Sequence, residues 1–457
     1  MSNVILGNYL TDHGHRSGTI VLTLLLNIVY CGLVTLVAPL ILWKRVRTGK
    51  YKRGWGQKFR GTLPIRTDAS TPRVWLHAVS VGEVLQLQQV VAALRQSQPS
   101  VQIMVTTTTE TGHAVANEKL RGCEVAFFPL DFSWSVNEAL RRVQPDLIVL
   151  VELELWPNFI LTAKRLGIPL MLINGRLSAR SFRGYARIRP LVQRLLQSFS
   201  MIAVQAEEYR ERFLALGADP ATTLVTGSIK FDGVVTDRQN LRTQGLREWL
   251  SLQSGELAFV AGSTQEPEEE LALGVYETLS AEFPQLRLVL VPRHPERGNS
   301  VAALLESRGH ALVRRSRSDS LCSPRAVGLL DTVGELGACW GLADVAFVGG
   351  SFTSRGGQNM LEPAAFGAAV CYGPNTWNFR QVVELLEQRD ATTTVRSAEE
   401  LTAFVRTMLT DRSQASERGA RARKLVLSQQ GATAKTVELI VQCLNGAKAV
   451  SPDRAVA

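Results

Sequence analysis

Four places in this 457-residue chain combine residue types and spacings that could do chemistry. The first is HAVSVGEV, His77 to Val84. An apolar strand runs into Ser80-Val81-Gly82, Gly82 permits a tight turn, and Glu83 falls in the first turn of the helix that follows. A carboxylate there can act as general base on a bound hydroxyl, or can complement the helix dipole. His77 reads as a hydrogen-bonded strand residue. The second is DLIVLVELELWPN, where a long apolar strand gains Glu152 and Glu154 at i, i+2, on one face at its carboxyl end. The pair suits a site, or a strand running out into solvent. The third is GSIKFD, in which Lys230 lies in a linker and can stabilise developing negative charge, or can be a solvated lysine.

The fourth is a set of three polar clusters in the second half of the chain. VPRHPER puts Arg293 and His294 directly after a strand, and both suit a phosphate. Asp331-Thr332-Val333-Gly334-Glu335 ends another strand. GGQNMLEPAAFG places Gly356-Gly357 before an expected helix from Asn359, whose free backbone N–H groups would hold an anion. Glu362, one turn in, would hold ribose hydroxyls. Three such clusters on one sheet edge point to a bound nucleotide. The chain has no GxxxxGK[ST], GxGxxG or HExxH, and no convincing DxD-like acidic pair. This speaks against kinases, classical dehydrogenases and zinc hydrolases, and leaves nucleotide-linked group transfer with no metal and no cofactor beyond the donor.

Alternating strands and helices position these residues. Strands are expected at 73–80, 102–108, 124–129, 146–153, 169–174, 201–205 and 223–226. A polar break at 231–256 follows, and then strands at 257–262, 286–292, 310–314, 327–331, 345–349 and 368–372. Helical patterns lie between them, with an exposed loop at 315–325 and helix over 397–443. Continuous apolar strands alternating with helices mean doubly wound parallel sheets. The reading is two Rossmann-like α/β domains, 61–231 and 232–445, with a tail at 446–457. Ligand should bind at the carboxyl ends of the strands, in a cleft between the domains.

Composition bounds the class. Forty-five per cent of residues are hydrophobic and 20% charged, which a disordered chain would not show. Net charge is +10, but residues 1–60 hold nine basic side chains against the single acid Asp12. So local a basicity argues for a membrane and against nucleic acid. From Ile20 to Trp43 no residue is charged, a run long enough as helix to exceed the roughly 30 Å hydrocarbon core. KRVRTGKYKR follows. The expectation is a single-pass anchor at 20–43, residues 1–19 outside, and a basic membrane-proximal segment 44–60 on the cytoplasmic side. A cleaved signal peptide fits less well, because the run is too long and no small-residue cleavage site precedes the basic block. Six cysteines without CxxC spacing suggest a reducing compartment.

The ordered motifs HAVSVGE, TTTTETG, ELELWPN, NGRLS, GSIKFD, AGST, VPRHPER and GGQNMLEP resemble the Kdo (3-deoxy-D-manno-octulosonic acid) transferases of lipopolysaccharide synthesis. The resemblance runs from about residue 50 to 440. It implies a GT-B glycosyltransferase with CMP-Kdo as donor and a lipid A precursor (lipid IVA) as acceptor. It also implies an inverting, metal-independent reaction at the cytoplasmic face of the inner membrane. By the same resemblance Glu83 is the proton acceptor, and Glu152 and Lys230 match positions that stabilise the transition state. The CMP contacts would be Pro292, Arg293 and His294; Val333, Gly334 and Glu335; and Asn359, Met360, Leu361 and Glu362. Two departures stand out: residues 1–19 have no family role, and Val333 stands where Met is expected. The alternatives are another membrane-associated GT-B transferase using a UDP-sugar and a lipid acceptor, and a membrane-tethered nucleotide-binding protein without turnover. A donor test separates the first, and the joint presence of Glu83, Glu152, Lys230 and Arg293 argues against the second.

Overall fold

The computed structural model describes residues 21–40, 43, 46–47, 53–317 and 325–450. The expected outer tail 1–19, both ends of the apolar run, most of the basic segment up to 52, most of the 315–325 loop and the last seven residues lie outside the described residues. The chain divides into two compact units, Met1–Asp232 with Gly431–Ala457, and Gly233–Gln430.

The first unit is built on a seven-stranded parallel sheet. Its strands are β1 (Arg73–His77), β2 (Gln102–Thr107), β3 (Glu124–Phe127), β4 (Leu147–Val151), β5 (Leu170–Gly175), β6 (Met201–Val204) and β7 (Thr223–Val225). Their order is β3-β2-β1-β4-β5-β6-β7. The order reverses between β1 and β4, which pair in register from Val74↔Leu147 to His77↔Leu150. Such a switch point leaves a crevice at the carboxyl ends of the two strands. β1 and β4 are buried at every position because helices cover both faces, which is why LIVLV reads as an unbroken apolar run.

The second unit repeats the plan. It contains β8 (Leu257–Thr264), β9 (Leu286–Pro292), β10 (Leu312–Arg314), β11 (Val327–Leu329), β12 (Val345–Val348), β13 (Ala369–Tyr372) and β14 (Thr392–Thr394). The order is β10-β11-β9-β8-β12-β13-β14, with its switch point between β8 and β12. The short strand β14, all threonine, has no apolar run to betray it and was not expected.

Two boundaries differ from the sequence reading, which carried the second domain to 445. The second unit closes at Gln430, and the terminal helix Ala432–Val450 belongs to the first. Its Val437, Ile440 and Leu444 share a core with Val84, Leu87 and Val91 of α3 (Val81–Ser97), the helix that follows the short α2 (Trp55–Arg60). Asp232 holds the return, accepting from the Gly431 amide at 2.6 Å. The same helix runs past 445, where a tail was expected.

Helix α1 (Val21–Leu40) is long and apolar enough to cross a membrane. Its two mid-run polar residues have partners in the first unit. Asn27 Nδ2 donates to Ser133 Oγ at 2.8 Å and its Oδ1 accepts from the Ser133 amide. Tyr30 donates to Asp131 at 2.9 Å. Asp131 also accepts from the amides of Asn158 and Phe159, at the start of the helix Pro157–Arg165. Burial pushes the Asp131 carboxyl up to about 7 against those bonds.

Candidate active site

β1 delivers the first candidate to the switch point of the first unit. Ser80 is the N-cap of α3, with extended backbone. Its Oγ accepts from the Glu83 amide at 3.4 Å and donates to Glu83 Oε1 at 2.6 Å, while the Val79 amide donates to Oε2 at 2.7 Å. This is a variant of the capping box in which the carboxylate takes the amide one residue before the N-cap, so Glu83 does serve the helix terminus. Each carboxylate oxygen accepts one of these bonds and keeps a further lone pair for an incoming hydroxyl. Burial raises the Glu83 pKa, the Ser80 and Val79 bonds oppose that, and the charge of Glu152 adds to it. A half-buried carboxylate raised in this way is tuned toward general-base work.

β4 ends at Val151, and Glu152 turns into the left-handed region at φ 62°. The pleat therefore stops one residue before the acids, contrary to the expectation that strand alternation carries both. Leu153 and Leu155, which follow each acid in turn, pack against the core. The Glu152 amide still donates to the Ile173 carbonyl at 2.9 Å. Glu154 accepts from Trp156 Nε1 at 2.8 Å. Its carboxyl is pushed up to about 7, by burial first and then by the charges of Glu83 and Glu152. Lys230, in the 3-10 turn Ile229–Phe231, brings Nζ to 3.8 Å from Glu152 Oε1, with both side chains part-exposed. Glu83, Glu152, Glu154 and Lys230 thus form one electrostatic group. His77 is fully buried, stacks on Phe128 and bonds Thr106, and burial holds its pKa down to about 3, so it stays neutral as a structural residue.

In the second unit the donor candidates collect at the carboxyl edge of the sheet. The Arg293 amide donates to the Thr264 carbonyl at 2.9 Å, which leaves its exposed guanidinium for a ligand. His294 lies 3.5 Å from Glu296, both well exposed. Asn359 Nδ2 donates to Glu362 Oε1 at 3.0 Å. Burial raises the Glu362 carboxyl, while the Asn359 bond and the Arg293 charge act against it, so Arg293, Asn359 and Glu362 share one field.

Three expectations need correction here. The helix opening at Asn359 begins at Leu361 and has only five residues, Leu361–Ala365. So short a helix has little macrodipole, and Asn359 Oδ1 already occupies the Leu361 amide at 3.1 Å. Gly356 and Gly357 are both left-handed, so no helix starts at them. Met360 and Leu361 bury their side chains in the core, as does Pro292, so these three can offer a ligand backbone only. At the third cluster, Asp331 pairs with Arg314 and Ser316, and Glu335 with Arg315 at 2.8 Å and with Thr332. Those bonds hold the Glu335 carboxyl below its usual range. Val333, 84% exposed, and the left-handed Gly334 present the free backbone of that turn.

Two buried residues escaped the motif reading. Asn174 of NGRLS is fully buried at the carboxyl end of β5, next to β4. Glu268, from a run of acids that reads as a solvated helix start, is fully buried. It accepts from the amides of Gln265, Gly350, Ser351 and Phe352 at 2.6–2.9 Å, joining the loops after β8 and β12. A cavity of about 430 Å³ lined by Arg238, Phe366 and Arg423 lies beside Ala343 at the amino end of β12, away from this edge.

A family model described as 3-deoxy-D-manno-octulosonic-acid transferase (kdotransferase) matches residues 51–233. The 3-deoxy-D-manno-octulosonic acid transferase of Haemophilus influenzae is 32% identical over 421 residues, covering 90% of this chain and 97% of that protein. The transferase of the same name from Chlamydophila psittaci is 33% identical over 351 residues, 76% and 80% of the two chains. Among solved structures, MurG of Acinetobacter baumannii aligns with a TM-score of 0.53 at 15% identity over 81% of this chain and 99% of its own. UDP-GlcNAc 2-epimerase of Neisseria meningitidis, bound to UDP-GlcNAc, gives 0.54 at 13% identity over 82% and 100%. These structural likenesses establish the fold, two Rossmann-like units of the GT-B class.

Proposed function

Since the chain belongs to the Kdo transferase family, a glycosyltransferase family of lipopolysaccharide core synthesis, we propose that it moves Kdo from CMP-Kdo to a lipid A precursor with Glu83 as general base. The observation that carries the reading is the Glu83 carboxylate, raised by burial and held by Ser80 at the switch point, with the Glu152–Lys230 pair on the neighbouring strand end. The acceptor hydroxyl oxygen attacks the anomeric carbon of Kdo, and the bond to the CMP phosphate oxygen breaks with its electron pair leaving on CMP. The hydroxyl proton passes to Glu83. Attack from the face opposite the leaving group inverts the anomeric centre.

Lys230 supplies positive charge near the reacting groups, 3.8 Å from the Glu152 carboxylate. Arg293 and the backbone of the Val333–Gly334 turn receive the CMP phosphate and base, and Glu362, oriented by Asn359, receives ribose hydroxyls. No step needs a metal. CMP is the leaving group of an activated donor, and a base with fixed positive groups meets the demand.

We assign attachment to the inner membrane through α1, with both units on the cytoplasmic side, where an acylated and phosphorylated acceptor meets the basic residues 44–60. The test is transfer from CMP-Kdo to a tetraacylated lipid A precursor in detergent, with and without EDTA, with products weighed by mass spectrometry. Wild type adds Kdo at the same rate in both conditions, and Glu83→Gln loses roughly 10²–10⁴-fold. No transfer from CMP-Kdo by the folded wild type, with transfer from a UDP-sugar, overturns the donor assignment.

A further inference from the structure

We propose that Asn174 is a positioning residue that sets Lys230 relative to Glu83, resting on the reading of these two as catalytic groups. Asn174 is fully buried at the end of β5, yet both ends of its side-chain amide are used. Oδ1 accepts from the Ile229 amide at 3.2 Å, and Ile229 opens the turn that carries Lys230. A backbone N–H can only donate, so the amide has one possible orientation, with Nδ2 facing away. Nδ2 donates to Gln86 Oε1 at 2.7 Å. Gln86 lies on α3 three residues beyond Glu83, hence on the same side of the helix one turn along. The residue before Asn174 gives its carbonyl to the Glu152 amide.

One side chain therefore links the helix that carries Glu83 with the turn that carries Lys230, beside the strand end that carries Glu152. The backbone supports the same conclusion. Asn174 takes φ 54°, a left-handed conformation that disfavours most side chains and that Asn tolerates. Its own carbonyl accepts from Gln205 Nε2 at 2.9 Å, which pins the turn. Gly would relieve the backbone equally well, so the presence of an amide points to the two bonds it makes. None of these groups reaches solvent readily: Gln86 is 9% exposed and Ile229 1%. A buried amide with both ends satisfied holds its neighbours to a few tenths of an ångström, the tolerance that transfer chemistry demands.

The experiment uses the full-length chain in detergent. Asn174→Gly keeps the left-handed backbone and removes both side-chain bonds. It is compared with Lys230→Ala, the double variant and Glu83→Gln in the CMP-Kdo assay, with thermal unfolding alongside. We expect Asn174→Gly to lower kcat roughly 10- to 100-fold, with KM for CMP-Kdo within about twofold of wild type. In the Lys230→Ala background the same change should cost less than about threefold, because the group it positions is gone. If Asn174→Gly does not fold, Gln86→Met breaks the same link from the α3 side, and the same loss of kcat at constant KM is expected. Losses that multiply independently, a kcat within about threefold of wild type, or a Lys230→Ala variant with full activity each overturn the inference. An inactive Glu83→Gln beside an unimpaired Asn174→Gly would refute the positioning role and leave the base assignment standing. A fully active Glu83→Gln would refute the base assignment itself.

Discussion

Glu154 offers a sharp test of the electrostatics at the switch point, because its effect on stability changes with pH. Its carboxyl sits at about 7 in the folded chain against an ordinary 4.5, through burial and then the charges of Glu83 and Glu152. The folded state therefore binds more protons than the unfolded state between those two values. Stability falls as pH rises through that window, and the deficit is complete above pH 7. A difference of this size corresponds to about 3 kcal/mol. Solvent reaches part of the carboxyl, and screening there reduces the figure to about 1–2 kcal/mol. Glu154→Gln removes the charge and keeps an oxygen to accept from Trp156 Nε1. The variant should be more stable than wild type by that margin at pH 8 and nearly indistinguishable from it at pH 4, below both values. Urea unfolding of both proteins in detergent at the two pH values measures it. Asp131 titrates in the same range, but it is present in both proteins and cancels from the difference. A gain of equal size at both pH values, or a loss at pH 8, would refute the reasoning.

Removing the Glu268 carboxylate strands four backbone amides between the β8 and β12 loops, so Glu268→Ala should destabilise the second unit by about 3 kcal/mol or more. Limited proteolysis read by mass spectrometry should find the new cuts within 233–430. Cuts confined to the first unit would contradict the assignment. The course of α1 is open to labelling of a Ser2→Cys variant in whole cells and in inverted vesicles. Labelling from outside supports a crossing helix. Labelling only from the cytoplasmic side means that α1 attaches from one side while Asn27 and Tyr30 keep their partners in the first unit.

Much of the fold was legible because parallel strands covered on both faces must be apolar throughout. RVWLH, LIVLV and LRLVLVP announce themselves for that reason. β14 did not, since an edge strand of three threonines has no such run. The terminal helix was placed with the wrong domain because an amphipathic pattern says that a face is buried and not which core buries it. The donor clusters show the same limit. Their side-chain types suggest a nucleotide, but Met360 and Leu361 belong to the core, and the helix expected at Asn359 starts two residues later as a single short turn.

The sequence alone determined two doubly wound units, the apolar helix, and the order of the motifs that carry Glu83, Glu152 and Lys230. Those are properties of period, composition and local turn chemistry, which neighbouring residues dictate. Tertiary structure alone decided what each charged group faces. Glu83 and Glu154 are 71 residues apart and influence each other only because β1 and β4 are neighbours in the sheet. Asn174, Gln86 and Ile229 meet through the same topology, and Glu268 becomes a buried acceptor of amides more than 80 residues away. Charge and hydrogen bonding act through space at a few ångströms, and that distance is set by strand order, which no local pattern encodes.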